Sequence, residues 1–341
     1  MKILLIQHRQ IGDVLMCTPA VRALRRHLPE ANITFVVESF SHSALKYNPH
    51  INAFIIPPKD IGPGAFMALH WKAWRSRYDV VIDFFRNPKS AWLTWCTRAP
   101  RRISFTGRYR KFAYTTAVDA GDPETTYAAV RKLRLLGPLG ITEEKDCLPE
   151  FFISDVERQW CDRVWDDLKL TPADLVIAIS PVSRKQYRVW PAVHYARLCD
   201  HLVKAHGAKV ILTWGPGEEG FIKPITSTMQ ARPITGYPMP GLTELQALLG
   251  RCDLVIANNN GPRHMAIAAG TPTLGLFSKL SPAHWTPPGN PLHLVIQPDP
   301  VRDARGNVEL KAENLPVERA IAAADKMIAD LKRGREYRPK G

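Results

Sequence analysis

Short apolar runs rich in branched residues alternate with amphipathic stretches twice along this chain, which restricts it to parallel α/β architectures. In the first series the pattern predicts strands over residues 2–7, 33–37, 53–56 and 80–84. Helical patterns fall between them near 19–27 and 65–74, and an amphipathic helix over 124–136 closes the series. Periodicity lapses amid Gly, Pro and mixed charge around 137–152, which marks a linker. The alternation then restarts with strands over 175–179, 209–213, 254–257 and 273–277. Helices are expected over 192–205, 242–249, 263–269 and 317–333. Two successive βαβ series of similar size predict an α/β fold of two doubly wound, Rossmann-like domains, 1–150 and 151–341, facing each other across a cleft. The closing helix is an element that can pack back on the first domain.

The charge is strongly basic, +14 over 341 residues, and uneven. Residues 1–150 carry a balance of +9 and the remainder +5. No acid lies between Asp83 and Asp119, where eight Lys and Arg are interleaved with Trp92, Trp95, Phe105 and Tyr109. Such a run is either a solvated basic face or a surface for a large anion, and nucleic acid, an anionic lipid headgroup and a phosphorylated glycan all qualify. No apolar run approaches the ~18–20 residues of a membrane span. The first strand opens at residue 2, so no signal peptide is expected. Six scattered cysteines form none of the close pairs of a zinc or redox motif, and a reduced cytoplasmic protein without a structural metal is the expectation.

The first strand leads into His8-Arg9-Gln10-Ile11-Gly12-Asp13, with a helix expected from Thr18-Pro19. In an open α/β sheet this turn opens onto the ligand crevice. A dinucleotide-binding turn would carry three glycines for a pyrophosphate; this one carries one glycine and an acid that would repel it. Asp13 is therefore placed either to take a proton or hold a hydroxyl, or to cap a helix.

Three loops of the second half follow strands in the same way. Ser180 to Pro191 holds hydroxyls with Arg184, Lys185 and Arg188, which suits a phosphate or a solvated basic loop. Trp214-Gly215-Pro216-Gly217-Glu218-Glu219 offers a carboxylate for a ribose diol, or a capped turn. Asn258-Asn259-Asn260-Gly261-Pro262-Arg263-His264 can form a tight turn with free N–H groups ahead of a helix N-terminus. Together the three favour a nucleotide-diphosphate site.

The chain resembles the family-nine glycosyltransferases of the GT-B class, the bacterial heptosyltransferases of lipopolysaccharide core synthesis. The resemblance rests on Ile11-Gly12-Asp13-Val14-Leu15 with Thr18-Pro19 and Leu24-Arg25, on Arg188-Val189-Trp190-Pro191, and on Gly215-Pro216-Gly217-Glu218. It continues from Cys252-Asp253 through Gly261-Pro262, His264 and Gly270-Thr271-Pro272-Thr273 to Trp285 and Pro287. It implies that Asp13 is the general base on the acceptor hydroxyl and that Arg188, with Ser183, neutralises the leaving phosphate. Glu218 or Glu219 would hold the donor ribose; Gly12, Asn259, Asn260, Gly261 and His264 complete the donor set. Arg9, Arg86, Arg101 and Arg102 are the expected acceptor-binding residues, for a phosphorylated, Kdo-bearing glycolipid at the inner-membrane surface.

The resemblance further implies an inverting transfer of heptose from ADP-heptose to the inner core, by a cytoplasmic, peripheral enzyme that needs no cofactor, binds no metal and has no nucleic-acid partner. Two positions depart from the family pattern. Asn259 and Asn260 stand where relatives carry Asp and Ser or Thr, which removes a charge near the diphosphate. Arg188 replaces a lysine, a planar fork for a point charge. The alternatives are a related enzyme with another sugar nucleotide and a non-catalytic polyanion- or glycan-binding protein with a decayed donor site.

Overall fold

The computed structural model describes residues 1–58, 62–142, 145–302 and 308–336. The chain forms two compact units, Met1–Phe152 and Ile153–Gly341.

The first unit contains β1 (Lys2–Ile6), α1 (Ile11–Leu15), α2 (Thr18–His27), β2 (Asn32–Val36), α3 (Ser39–His42) and β3 (Ala53–Ile55). It continues with α4 (Pro63–Arg75), β4 (Val80–Asp83), α5 (Pro88–Cys96), β5 (Arg101–Phe105), β6 (Thr116–Val118) and α6 (Ala128–Arg134). The six strands form a parallel sheet in the order β3-β2-β1-β4-β5-β6. β1 sits inside it, which is why Ile3, Leu4, Leu5 and Ile6 are all fully buried. Ile3 and Leu5 pack on one face with Val14, Val21, Leu24 and Leu133 of α1, α2 and α6. Leu4 and Ile6 pack on the other with Ala73 of α4 and Leu93 of α5. Alternate residues of one strand thus feed two cores, as a doubly wound sheet requires.

The second unit contains α7 (Asp155–Asp167), β7 (Val176–Ser180), α8 (Ala192–His206), β8 (Lys209–Leu212), α9 (Glu219–Thr228) and α10 (Leu242–Arg251). Then come β9 (Leu254–Asn258), α11 (Gly261–Ala268), β10 (Thr273–Leu276), α12 (Pro282–Trp285), β11 (His293–Ile296), β12 (Val301–Arg302), β13 (Val308–Glu309) and α13 (Val317–Glu336). Its main sheet is parallel, in the order β11-β10-β9-β7-β8, and β12 with β13 is a small antiparallel pair. The closing helix buries Val317, Ala320, Ala324 and Ile328 in this unit's own core, against α8, β10 and β11. His201 and His206 of α8 both contact Asp325 Oδ1 of α13, at 2.8 and 2.7 Å. Burial pulls the Asp325 carboxyl upward, but hydrogen bonds to the two imidazoles outweigh it and hold the group below its ordinary range.

Every strand and helix expected from periodicity is present, within a few residues at its ends, except that the helix expected over 124–136 is short. Its first residues form a turn, with Asp122 accepting from the Glu124 N–H at 3.0 Å, and α6 spans only Ala128–Arg134. The elements missed include the helices α5, α7 and α9 as well as short pieces such as α1, α3 and β6. α5, β5 and β6 arise inside the acid-free stretch. α7 carries a capping box, Ser154 with Glu157, a pattern visible in the sequence.

Candidate active site

In the first unit the strand order reverses between β1 and β4, so ligands are expected beyond the carboxyl ends of those strands. There the chain turns through Gln10 at φ 63°, a left-handed conformation sparsely populated by non-glycine residues, and enters α1 directly. Asp13 therefore lies in the first turn of a helix; the sequence had suggested a loop, with helix only from Thr18. Ile11, Val14 and Leu15 at i, i+3 and i+4 are all buried and draw this segment into a turn of helix. Asp13 is not its cap: Gln10 holds that position, and no side chain caps the helix. Gly12 is buried beside it.

Among the described residues, none donates a hydrogen bond to the half-buried Asp13 carboxylate. Burial raises its proton affinity, and the Lys132 charge opposes this. Lys132, on α6, is itself buried; its Nζ donates to Gln7 Oε1 at 2.8 Å and stands 5.5 Å from the centre of the Phe84 ring. Cys17 completes the cluster, its Sγ 3.4 Å from the Asp13 carbonyl, and burial pushes its thiol up to about 11. Lys132 escaped the sequence reading. Its signal was positional, since it shares the buried stripe of α6 with Ala128, Ala129 and Leu133, where a lysine needs a partner.

The neighbouring strand end holds Asp83, fully buried, which accepts from the Phe85 and Arg86 N–H groups at 2.9 and 2.8 Å and from the Tyr114 hydroxyl at 2.8 Å. These bonds lower its proton affinity, but burial is the larger influence and raises it. Asp83 is thereby the organiser of the turn that carries Arg86.

The four expected acceptor-binding arginines separate in space. Arg9 is exposed beyond β1 and paired with Glu38 at 3.0 Å. Arg86 lies beyond β4, but its guanidinium donates to the Gly107 and Tyr109 carbonyls at 3.1 and 2.6 Å. A Cβ at Gly107 would meet that guanidinium at 2.1 Å, which explains the glycine. Arg101 and Arg102 open β5, in register with Val80 and Val81, and so lie about 10 Å before the carboxyl ends of the strands. Arg102 donates to the Ala99 and Ala113 carbonyls at 2.6 and 2.8 Å. These two are therefore not gathered with Asp13. A run of charges does not record which end of a strand it occupies.

In the second unit the order reverses between β7 and β9, and the loops after those strands are knitted together. Asn258 accepts from the Tyr195 hydroxyl and donates to the Pro181 carbonyl, both at 2.9 Å. Asn260 caps α11 by accepting from the Arg263 N–H at 3.2 Å, as a Ser or Thr there would. Its amide also donates to the Val182 carbonyl at 2.9 Å and to Ser180 Oγ at 3.2 Å. The departure at 260 thus preserves the cap and adds a tie to the β7 loop. Asn259 contacts His264 Nε2 through Oδ1 at 3.2 Å. Burial, assisted by Arg263 and His284, pushes His264 down to about 3, so it is neutral, and the contact places its proton on Nε2. An aspartate at 259 would favour a charged imidazole, whereas the asparagine keeps the pair uncharged. Gly261 opens α11.

The loop after β7 carries buried Ser183, whose Oγ accepts from the Lys185 N–H at 3.3 Å. Arg188 lies 5.3 Å from the centre of the Tyr187 ring, its nitrogens 3.1 and 3.2 Å from the phenol oxygen. No carboxylate among the described residues pairs with it. Trp190, fully buried, donates from Nε1 to the Leu315 carbonyl at 2.8 Å and anchors this loop. A cavity of about 700 Å³ lies between Tyr187 and Val189 on one side and Gly220 and Phe221 at the start of α9 on the other. Glu218 caps its own turn by accepting from the Gly215 N–H at 2.8 Å, while Glu219 in the first turn of α9 is exposed. The capped-turn reading thus describes Glu218, while Glu219 is left exposed to solvent. Among the described residues, the group able to hold a metal ion is His201, His206 and Asp325. It stands toward the C-terminal end of α8, away from the loops at its start.

A model of glycosyltransferase family 9 (heptosyltransferase) matches residues 67–304. The chain belongs to this family. The glycosyltransferase is 26% identical to lipopolysaccharide heptosyltransferase 3 of Escherichia coli K12, over 94% of this chain and 96% of the relative. Its fold is shared with a family-nine glycosyl transferase from Veillonella parvula, with a TM-score of 0.87 at 24% identity over 96% and 97% of the two chains. It is shared also with E. coli heptosyltransferase WaaC solved with ADP-2-deoxy-2-fluoro heptose, with a TM-score of 0.72 at 18% identity over 96% and 99%. These likenesses establish the GT-B fold class for the chain. The protein is thus a transferase, and the binding-only alternative is set aside.

Proposed function

We propose that this glycosyltransferase moves a heptose from ADP-heptose to a phosphorylated, Kdo-bearing inner-core acceptor of lipopolysaccharide, with inversion at the anomeric carbon and without a metal. The first unit holds the acceptor and the second the donor. The observation that carries the reading is Asp13, a carboxylate beyond the first strand with no hydrogen-bond donor and a proton affinity raised by burial. Asp13 takes the proton from the acceptor hydroxyl as its oxygen bonds to C1 of the heptose. The bond from C1 to the diphosphate breaks, and ADP leaves with the electron pair. Negative charge then grows on the diphosphate, where the Arg188 fork and the N–H groups at the start of α11 meet it. Ser183 adds a hydroxyl, Glu219 takes the ribose diol with Glu218 behind it, and neutral His264 with Asn259 frames the turn. Arg9 and Arg86, beyond the carboxyl ends of β1 and β4, are the acceptor contacts retained. The reaction belongs at the cytoplasmic face of the inner membrane, where a lipid-linked acceptor is found.

Mass spectrometry of products from ADP-heptose and truncated core acceptors tests this reading. One heptose added with release of ADP is expected; no product with any acceptor would overturn it. Lys132 supplies a sharper test of the base. Its charge holds the Asp13 carboxyl down, so Lys132→Met is expected to shift the acid limb of the kcat profile to higher pH. An acid limb that stays in place would separate Lys132 from the base.

A further inference from the structure

We infer that the outer face of α4 and α5 is a docking surface for an anionic lipid bilayer. The inner faces of these helices settle on the sheet through Leu69 and Ala73 of α4 and Leu93 of α5. Their outer faces carry Met67, Trp71 and Trp74 on one helix and Trp92 and Trp95 on the other, each between 40 and 71% exposed. The tryptophans stand in pairs, Trp71 with Trp74 at 4.8 Å and Trp92 with Trp95 at 5.1 Å between ring centres, around a groove of about 910 Å³. Leaving so many large apolar side chains in water is a cost that a folded unit of this size does not otherwise incur.

Charge names the occupant. No acid occurs over residues 61–78 or 84–118; exposed Arg98 lines the groove, and Lys72 and Arg75, also exposed, lie beside Trp71 and Trp74 on α4. Among the described residues, none of these three has an ion-pair partner. Tryptophan flanked by Lys and Arg is the composition that settles at the headgroup level of a bilayer, where the ring meets both apolar and polar surroundings. Among the described residues, no helix is long and apolar enough to cross a membrane, so this face is peripheral. Arg102 takes a different part from the one expected of it. Its guanidinium is tied to backbone carbonyls, and its side chain lines the groove.

The inference deepens the reading of a lipid-linked acceptor and is tested separately from it. Full-length protein is sedimented with vesicles of phosphatidylethanolamine and phosphatidylglycerol, and with phosphatidylcholine vesicles, at physiological salt. At least tenfold stronger binding to the anionic vesicles is expected, with brominated lipid quenching part of the tryptophan fluorescence. Trp71→Ser with Trp92→Ser, and separately Lys72→Glu with Arg75→Glu, should each weaken binding at least tenfold, since each basic residue at an anionic surface contributes about fivefold. All four positions are exposed, and circular dichroism melts confirm folding. Equal binding to both vesicle types, or binding unchanged in both variants, would overturn the inference. So would a wild-type dimer dissolved by the tryptophan changes without any vesicle binding, or RNA binding in its place. Transfer to a water-soluble, delipidated acceptor should be unaltered in Trp71→Ser with Trp92→Ser. Failure of that transfer in the wild type would count against the catalytic reading and leave the vesicle result standing.

Discussion

Replacing Asp13 by Asn is expected to lower kcat by roughly 10²–10⁴-fold while ADP binding is retained, because a general base in the transition state contributes on that order. The loss should fall on kcat with little change in donor affinity, since Asp13 belongs to the first unit and the loops proposed to bind the donor belong to the second. The wild-type enzyme should lose activity as pH falls through the Asp13 pKa, and burial places that limb above the ordinary carboxylate range. Stability should respond in the opposite sense. A carboxyl whose folded pKa is raised binds its proton more tightly in the native state, so its stabilising contribution is present below the unfolded pKa and lost as pH rises through the folded one. Above its folded pKa the ionised group is a liability to folding, so there Asp13→Asn should raise Tm even as it lowers kcat. A variant of near-normal kcat would remove Asp13 from the chemistry. A variant with lowered Tm would mean that the carboxylate is held by partners.

Trp190→Ala should be the most destabilising single change near the loops that follow β7 and β9. The side chain is 1% exposed, packs edge-on against Tyr195 at 5.0 Å and donates to the Leu315 carbonyl. Truncation leaves a cavity and an unsatisfied carbonyl, for a loss of about 3–5 kcal/mol. For a unit of this size that corresponds to a fall in Tm of roughly 6–20 °C. Trp190→Phe keeps most of the volume and should cost about 1 kcal/mol for the lost hydrogen bond. Because Trp190 anchors the loop two residues after Arg188, Trp190→Phe should also slow transfer, with the larger change in kcat. A Tm within 2 °C of wild type for Trp190→Ala would contradict the anchoring role.

The parts of this enzyme readable in one dimension are those set by local pattern. β1 was legible because an inner parallel strand needs an unbroken apolar run, and Asp13 because a lone acid after such a run is conspicuous. The Asn258–His264 turn was legible as tight backbone before a helix. What Asn260 does was not, because its amide reaches Val182, 78 residues away. Lys132 and Gln7 meet across 125 residues, as do Trp190 and Leu315, and neither pair leaves a spacing in the sequence. Arg101 and Arg102 looked like acceptor ligands from their charge alone, and only the register of β5 with β4 assigned them to the starting edge of the sheet.

Residue order alone established where strands and helices form, that they build α/β units, and which strand-end loops gather polar and charged residues, because these follow from hydrophobic period and turn residues. Folding in three dimensions established which of those groups are spoken for and which stay available. It set the strand order that brings two loops to one switch point, and it raised the proton affinity of Asp13 and kept His264 neutral. Proton affinity and hydrogen-bond saturation depend on what surrounds a side chain, and that surrounding is assembled from segments far apart in the chain.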